Sequence, residues 1–195
     1  MNYQRGGSMN AMEFDNLVIS AGPWSPRVLS TLFPWSEISI PFDLAHAAGN
    51  HLLVRAPRWK PEDDEDGCDQ LYLAGILNRT LDISSYLGGT FYVGGYDGFV
   101  YQNLDIARGE ALEVISVGRC YRPMVEMRHP VITQLPLEQL MGPQKVPSNI
   151  KGSFYLNTGH GSDGITLGPG SGKVMSDLIA GRKPAVDISR LGLTE

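Results

Sequence analysis

Short apolar runs, each a few residues long and closed by glycine or proline, recur along the chain and set its elements. Phe14 to Ser20 is a buried-strand pattern closed by Ala21-Gly22-Pro23. Ser25-Pro26-Arg27 then opens a helix, with Ser25 as N-cap and Pro26 at the first helical position; it stops near Phe33-Pro34. Ile38 to Ile40 and His51 to Arg55 read as strands, with a turn signal over Ala45 to Asn50 between them. Strand patterns follow at Gln70 to Leu77, at Gly89 to Gly95 ahead of an Asp97-Gly98 turn, at Leu112 to Arg122 and at Pro130 to Thr133. Leu137 to Met141 is one helical turn, and Ser153 to Thr158 a further strand. A glycine-rich loop spans Gly159 to Gly172, and Val174 to Ala180 is a helix stopped by Gly181.

This order puts strand and helix at both ends and several strands between. It predicts an α+β chain: an antiparallel sheet from the middle and a smaller α/β layer from the two ends. The expected division is a disordered leader over 1–13, an end layer from 14–35 with 153–184, a middle sheet over 36–152, and a tail over 185–195.

Composition narrows the function. The 195 residues carry 16 Lys+Arg against 21 Asp+Glu, so nothing draws the chain to nucleic acid. No apolar run reaches the ~20 residues of a membrane helix. The start lacks the apolar core of a signal peptide, and Cys68 and Cys120 stand too far apart for a CxxC pair; the expectation is a cytoplasmic protein with reduced thiols. Four histidines show no metal-ligand spacing, so no metal site is expected. Glu62 to Asp66 is a like-charge run that reads as a solvated loop.

Gly159-His160-Gly161-Ser162-Asp163-Gly164 matches GxGxxG between a strand and a helix. The literal dinucleotide reading is opposed by the second glycine cluster, Gly168 to Gly172, and by the lack of a following strand with a ribose-binding acid. The same glycines can instead let backbone N–H groups approach an anion or cofactor, or simply close a tight loop.

Three stretches together resemble the FAD-dependent D-amino-acid oxidase-like superfamily, which includes glycine, sarcosine and D-amino-acid oxidases. They are Asp15 to Ser25 with its Ala-Gly-x-Trp-Ser turn, Cys120 to Pro123 followed by Pro130-Val131-Ile132, and Gly159 to Gly181. The resemblance implies FAD as cofactor and a small-molecule amine or amino acid as substrate. It implies that Ala21, Gly22 and Trp24 sit by the FAD layer. Gly159, His160, Gly161, Gly164, Ile165 and Thr166 would lie at the flavin, with His160 shaping the turn, and Arg122 would hold a substrate carboxylate. It also implies that the family's N-terminal Rossmann unit is missing, so this chain would be the C-terminal part of such an enzyme. The alternatives are a non-catalytic fragment that self-associates or borrows the missing FAD half from another chain, and a flavin-free nucleotide binder using Gly159 to Gly172.

Overall fold

The computed structural model describes residues 2–43, 47–76, 79–95, 113–144, 146, 150 and 152–193. The expected Asp97-Gly98 turn and the Ala45-His46 start of the expected Ala45 to Asn50 turn lie outside them, while Ala48 to Asn50 belong to a strand. The chain divides into two compact units: residues 1–46 with 122–195, and residues 47–121. Residues 36–46 and 122–152 thus belong with the chain ends.

The first unit opens with a hairpin, β1 (Asn2–Arg5) and β2 (Ser8–Ala11), paired antiparallel. The leader read as disordered therefore has structure. Gly6 and Gly7 take φ of 58° and 82°, the pair of positive values that a tight hairpin turn requires.

A three-stranded sheet follows, in the order β3 (Asn16–Ile19), β10 (Ser153–Thr158), β9 (Val131–Leu135). β10 runs parallel to β3 and antiparallel to β9. Both faces are covered, which is why these strands read as unbroken apolar runs rather than alternating ones. Ile19, Val131, Leu135, Phe154 and Leu156 join Leu29 of α1 (Ser25–Leu32) and Leu140 of α2 (Leu137–Met141) in one core. On the opposite face Ile132 and Tyr155 pack with Val174 and Met175 of α3 (Gly164–Ile179).

Helix α3 corrects the sequence reading. Of the stretch expected to be a glycine-rich loop, Gly159 to Asp163 is loop but Gly164 to Gly172 is the first half of this helix, so the second glycine cluster no longer argues against a helix after GxGxxG. Propensity alone predicts otherwise: glycine costs about 1 kcal/mol and an interior proline about 3 kcal/mol in a helix. Burial of Ser171, Val174 and Met175 at helical spacing supplies what propensity lacks. Gly168 precedes Pro169, and a Cβ there would oppose the helical conformation that a following proline disfavours.

Two smaller differences appear. Ser25 does not cap α1; it is the first helical residue, fully buried, and its hydroxyl is used elsewhere. Ile38 to Ile40 form no strand, although Ile40 is buried in the core. Phe42 nearby makes an isolated bridge to Val125 and packs against the same core.

The second unit is a five-stranded antiparallel sheet, in the order β5 (Gln70–Ile76), β6 (Arg79–Tyr86), β7 (Thr90–Gly95), β4 (Ala48–Arg55), β8 (Glu113–Tyr121). Strand β6 went unread in the sequence, where Thr80-Leu81-Asp82-Ile83-Ser84 does alternate. Leu52, Val54 and Val93 form its small core. The acidic run is not simply solvated. It forms a 3-10 turn over Pro61–Asp66, and Asp64 accepts hydrogen bonds from Trp59 Nε1 (2.9 Å) and from the Gly88 N–H (3.0 and 3.1 Å).

Candidate functional site

In the first unit the two parallel strands β3 and β10 end side by side. The carboxyl ends of parallel strands are where open α/β layers leave a crevice for ligands. A cavity of about 280 Å³ lies there. Ser20 and Gly22 line it from beyond β3, Asn157 and Thr158 from the end of β10. Gly164, Gly168 and Ser171 line it from α3, at i, i+4 and i+7, so one stripe of that helix faces the cavity and carries no bulk.

Two sets of hydrogen bonds fix its walls. Ser25 Oγ donates to Thr158 Oγ1 (3.1 Å), and Thr158 Oγ1 donates to the Gly22 carbonyl (3.1 Å). Both hydroxyl residues are buried, so this relay ties the turn after β3 to the end of β10 inside a low-dielectric site. On the other side His160 Nε2 lies 2.8 Å from Ser171 Oγ, joining the loop after β10 to the third turn of α3. The Gly161 N–H donates to the Pro123 carbonyl (3.1 Å), and Pro123 also lines the cavity.

Electrostatics at the cavity come mainly from backbone. The first three N–H groups of α3, at Gly164, Ile165 and Thr166, have no intrahelical acceptor, and no side chain caps that end. They carry the positive end of the helix dipole. Among the described residues that line it there is no Asp, Glu, Lys or Arg. Burial pushes the His160 imidazole below its ordinary pKa, so it is neutral at pH 7. Its folded pKa is depressed, so the stability it contributes is present above about 6.5 and is lost as pH falls. Denaturant midpoints measured between roughly pH 7 and 5 will decline on the acid side, and His160→Gln will flatten that decline.

The far end of α3 is anchored separately. The Asp177 carboxylate receives Lys173 Nζ and Arg182 Nε (2.9 Å), and these hydrogen bonds, Lys173 first, hold it below the usual carboxylate range. Lys173 and Asp177 lie one helical turn apart, so their ion pair runs along the last half of α3.

Of the residues singled out in the sequence, Gly22, His160, Gly161 and Gly164 line the cavity. Ala21 and Trp24 bracket the 3-10 turn beside it, and the Trp24 ring is 59% exposed. Gly159 is buried, with φ of 81° and Val125 where a side chain would go. Ile165 is 96% exposed and is not among the residues that line the cavity. Thr166 is also exposed. Arg122 is partly buried, one residue before Pro123, and its guanidinium bonds no described residue.

Sequence reasoning missed Ser20, Pro123, Asn157, Thr158, Gly168 and Ser171. The small-residue spacing Gly164, Gly168, Ser171 was the available signal, hidden once the stretch was read as loop.

Residues 4–178 match the family described as FAD dependent oxidoreductase. The chain is 28% identical over 194 residues to a D-amino acid dehydrogenase of Bradyrhizobium diazoefficiens, covering 94% of this chain and 41% of that protein. The fold is similar to iminodiacetate oxidase from Chelativorans (TM-score 0.63, 16% identity, 98% of this chain and 51% of that one). It is similar also to glycine oxidase from Geobacillus kaustophilus (TM-score 0.62, 20% identity, 97% of this chain and 47% of that one). The chain belongs to the FAD-dependent oxidoreductase family, and it spans less than half the length of the D-amino acid dehydrogenase it matches. Among the described residues no helix is long and apolar enough to cross a membrane.

Proposed function

We propose that this chain forms the part of an FAD-dependent amine or amino-acid oxidoreductase that holds the flavin end of the cofactor. One observation carries the reading: a cavity at the carboxyl ends of parallel strands, backed by the uncapped N-terminus of α3, within the segment that matches the family. Its volume of about 280 Å³ falls just below the roughly 300–1,000 Å³ typical of small-molecule sites. It suits one end of a dinucleotide rather than all of it.

The residues present fit that group. Gly22, Gly161 and Gly164 let backbone approach the ring closely, and the N–H groups of Gly164, Ile165 and Thr166 supply fixed donors. Such donors favour the negative charge that a reduced flavin carries at its pyrimidine edge. Ala21, Trp24, Gly159 and His160 shape the two turns that carry these groups. Bound there, FAD supplies the two-electron acceptor for oxidation at a carbon bearing nitrogen. Arg122, next to Pro123 in the chain, has the chemistry to hold a substrate carboxylate.

In this reading the end layer is the flavin-binding part, and the antiparallel sheet of the second unit is the substrate part. The relatives act on D-amino acids, glycine or iminodiacetate by name, which supports a small amine or amino acid here. Unpaired, exposed Cys68 and Cys120 support a reducing, cytoplasmic compartment.

Anaerobic addition of glycine, D-alanine or iminodiacetate to the FAD-loaded protein tests the reading. Bleaching of the visible flavin band by at least one of them is the expected result. A loaded flavin that no amine or amino acid bleaches would leave a binding module without this chemistry.

A further inference from the structure

The second unit holds a cavity of its own, of about 430 Å³, inside the roughly 300–1,000 Å³ range of small-molecule sites. Its floor is one face of the antiparallel sheet. Leu71 pairs with Ile83, and Phe91 with Ser85; Ile83 and Ser85 are two residues apart on β6, so all four side chains stand on the same face. Its wall is the acidic 3-10 turn over Pro61–Asp66 with Trp59 ahead of it. The Trp59 ring occupies the place that a side chain on Gly89 would take, 2.3 Å from its Cγ, so only glycine lets the indole seat there. Asp64 fastens the wall, accepting from Trp59 Nε1 and from the Gly88 N–H.

The polar groups of this lining are one-sided. Asp64 is committed to the wall, and Asp63 Oδ2 accepts from the Lys60 N–H (2.8 Å). Asp69 bonds Ser85 through its backbone N–H and carbonyl, which leaves its carboxylate free of that pairing. Asp63 and Asp69 are exposed, and Trp59 and Phe91 are half-buried, so a solute reaches all four from water. Arg58 is the only cation among the described residues that line the cavity, and it is already engaged. Three carboxylates against one guanidinium leave an excess of negative charge over an apolar, aromatic floor.

That combination selects by charge. An anion meets the excess carboxylates. A bare metal ion needs several oxygen or nitrogen ligands converging on one point, and among the described residues no three His, Cys, Asp or Glu gather in that way. An organic cation fits both parts: carboxylates attract its charge, aromatic rings attract it again through their electron-rich faces, and the floor takes its apolar body. We propose that this cavity binds a small organic ammonium ion, with Asp63 and Asp69 facing its charge and Trp59 and Phe91 its apolar body. The site belongs to the second unit alone and does not rest on the flavin reading, and its test uses no flavin.

The full 195-residue chain is titrated calorimetrically with 2-phenylethylamine, 2-phenylethanol and phenylacetate, which present one body as a cation, a neutral molecule and an anion. The amine is expected to bind about tenfold or more tighter than the alcohol, and phenylacetate to show no binding. Asp63→Asn with Asp69→Asn is expected to weaken the amine by about tenfold or more, to leave the alcohol unchanged and to keep the melting temperature, since both sites are exposed. Trp59→Ala is expected to weaken amine and alcohol alike, read beside a melting curve because Trp59 also seats the turn. Glu62→Gln changes an exposed acid of the same turn that does not line the cavity, and is expected to leave the amine's affinity as it was. Alcohol binding as tight as amine binding would overturn the choice of a cation. Unchanged amine affinity in the double variant would overturn the role of the two carboxylates, and an equal loss in Glu62→Gln would assign the attraction to the charge of the whole turn instead of the cavity. A wild-type chain that binds no amine while melting cooperatively would overturn the site itself.

Discussion

Gly164→Leu is expected to abolish flavin retention with little change in stability. Gly164 opens α3 and lines the cavity. A Cβ there meets only the His160 Cβ, at the ordinary contact distance of 3.7 Å, and the backbone needs no left-handed conformation. The fold therefore accepts a side chain, with a stability change within about 0.5 kcal/mol. The cavity does not accept it, because four carbons would stand at the helix start where the donors face the ligand. A loss of more than tenfold in FAD affinity, about 1.4 kcal/mol or more, is the expected outcome of a titration beside a melting curve. Unchanged affinity with an unchanged melting curve would place the ligand away from α3.

Leu156→Ala is expected to give the largest loss of stability. Leu156 has no solvent exposure and packs in the core that joins β3, β9 and β10 to α1 and α2. Truncating a leucine so placed costs about 2–5 kcal/mol, part from lost burial and part from the cavity left behind. Against a total of roughly 5–15 kcal/mol for a domain, that is a large share. The denaturant midpoint should drop with the slope of the transition unchanged. Asn157 and Thr158 follow directly on β10, so flavin retention should fall with the fold. A loss below about 1 kcal/mol, the ordinary figure for a point change, would mean that the strand is not the centre of the unit.

These two residues mark what the sequence made legible. Leu156 sits in Phe154-Tyr155-Leu156, an apolar run that reads as a buried strand because both of its faces are covered, and its partner β3 reads the same way. Gly164 was found through the GxGxxG spacing and the family resemblance. Only the second half of the helix it opens was found, as Val174 to Ala180, because four glycines and Pro169 lie in its first nine residues and only tertiary burial of the Ser171, Val174, Met175 face makes them helical. The same cause hid Gly168 and Ser171 as cavity residues.

Ser25 shows a second kind of miss. A serine ahead of proline reads locally as an N-cap, but its hydroxyl is drawn to Thr158, far along the chain, by a buried relay that no local pattern encodes. Asn157 was missed for a related reason. One asparagine in a strand gives no signal until the strand's end, the helix start and the loop from Gly159 are placed around one cavity. The hairpin over residues 2–11 and strand β6 were missed differently, since Gly6-Gly7 and the alternation in Thr80 to Ser84 were both on the page.

The account rests on flavin binding by the first unit, and the visible absorption spectrum tests it most directly. The purified chain would be incubated with FAD, passed through gel filtration, and scanned beside Gly164→Leu. A flavin band that co-elutes with the wild-type chain and is lost from Gly164→Leu is the predicted result. A wild-type chain that emerges colourless while its melting curve remains cooperative would contradict the account, leaving a folded member of the family whose cavity does not hold the flavin.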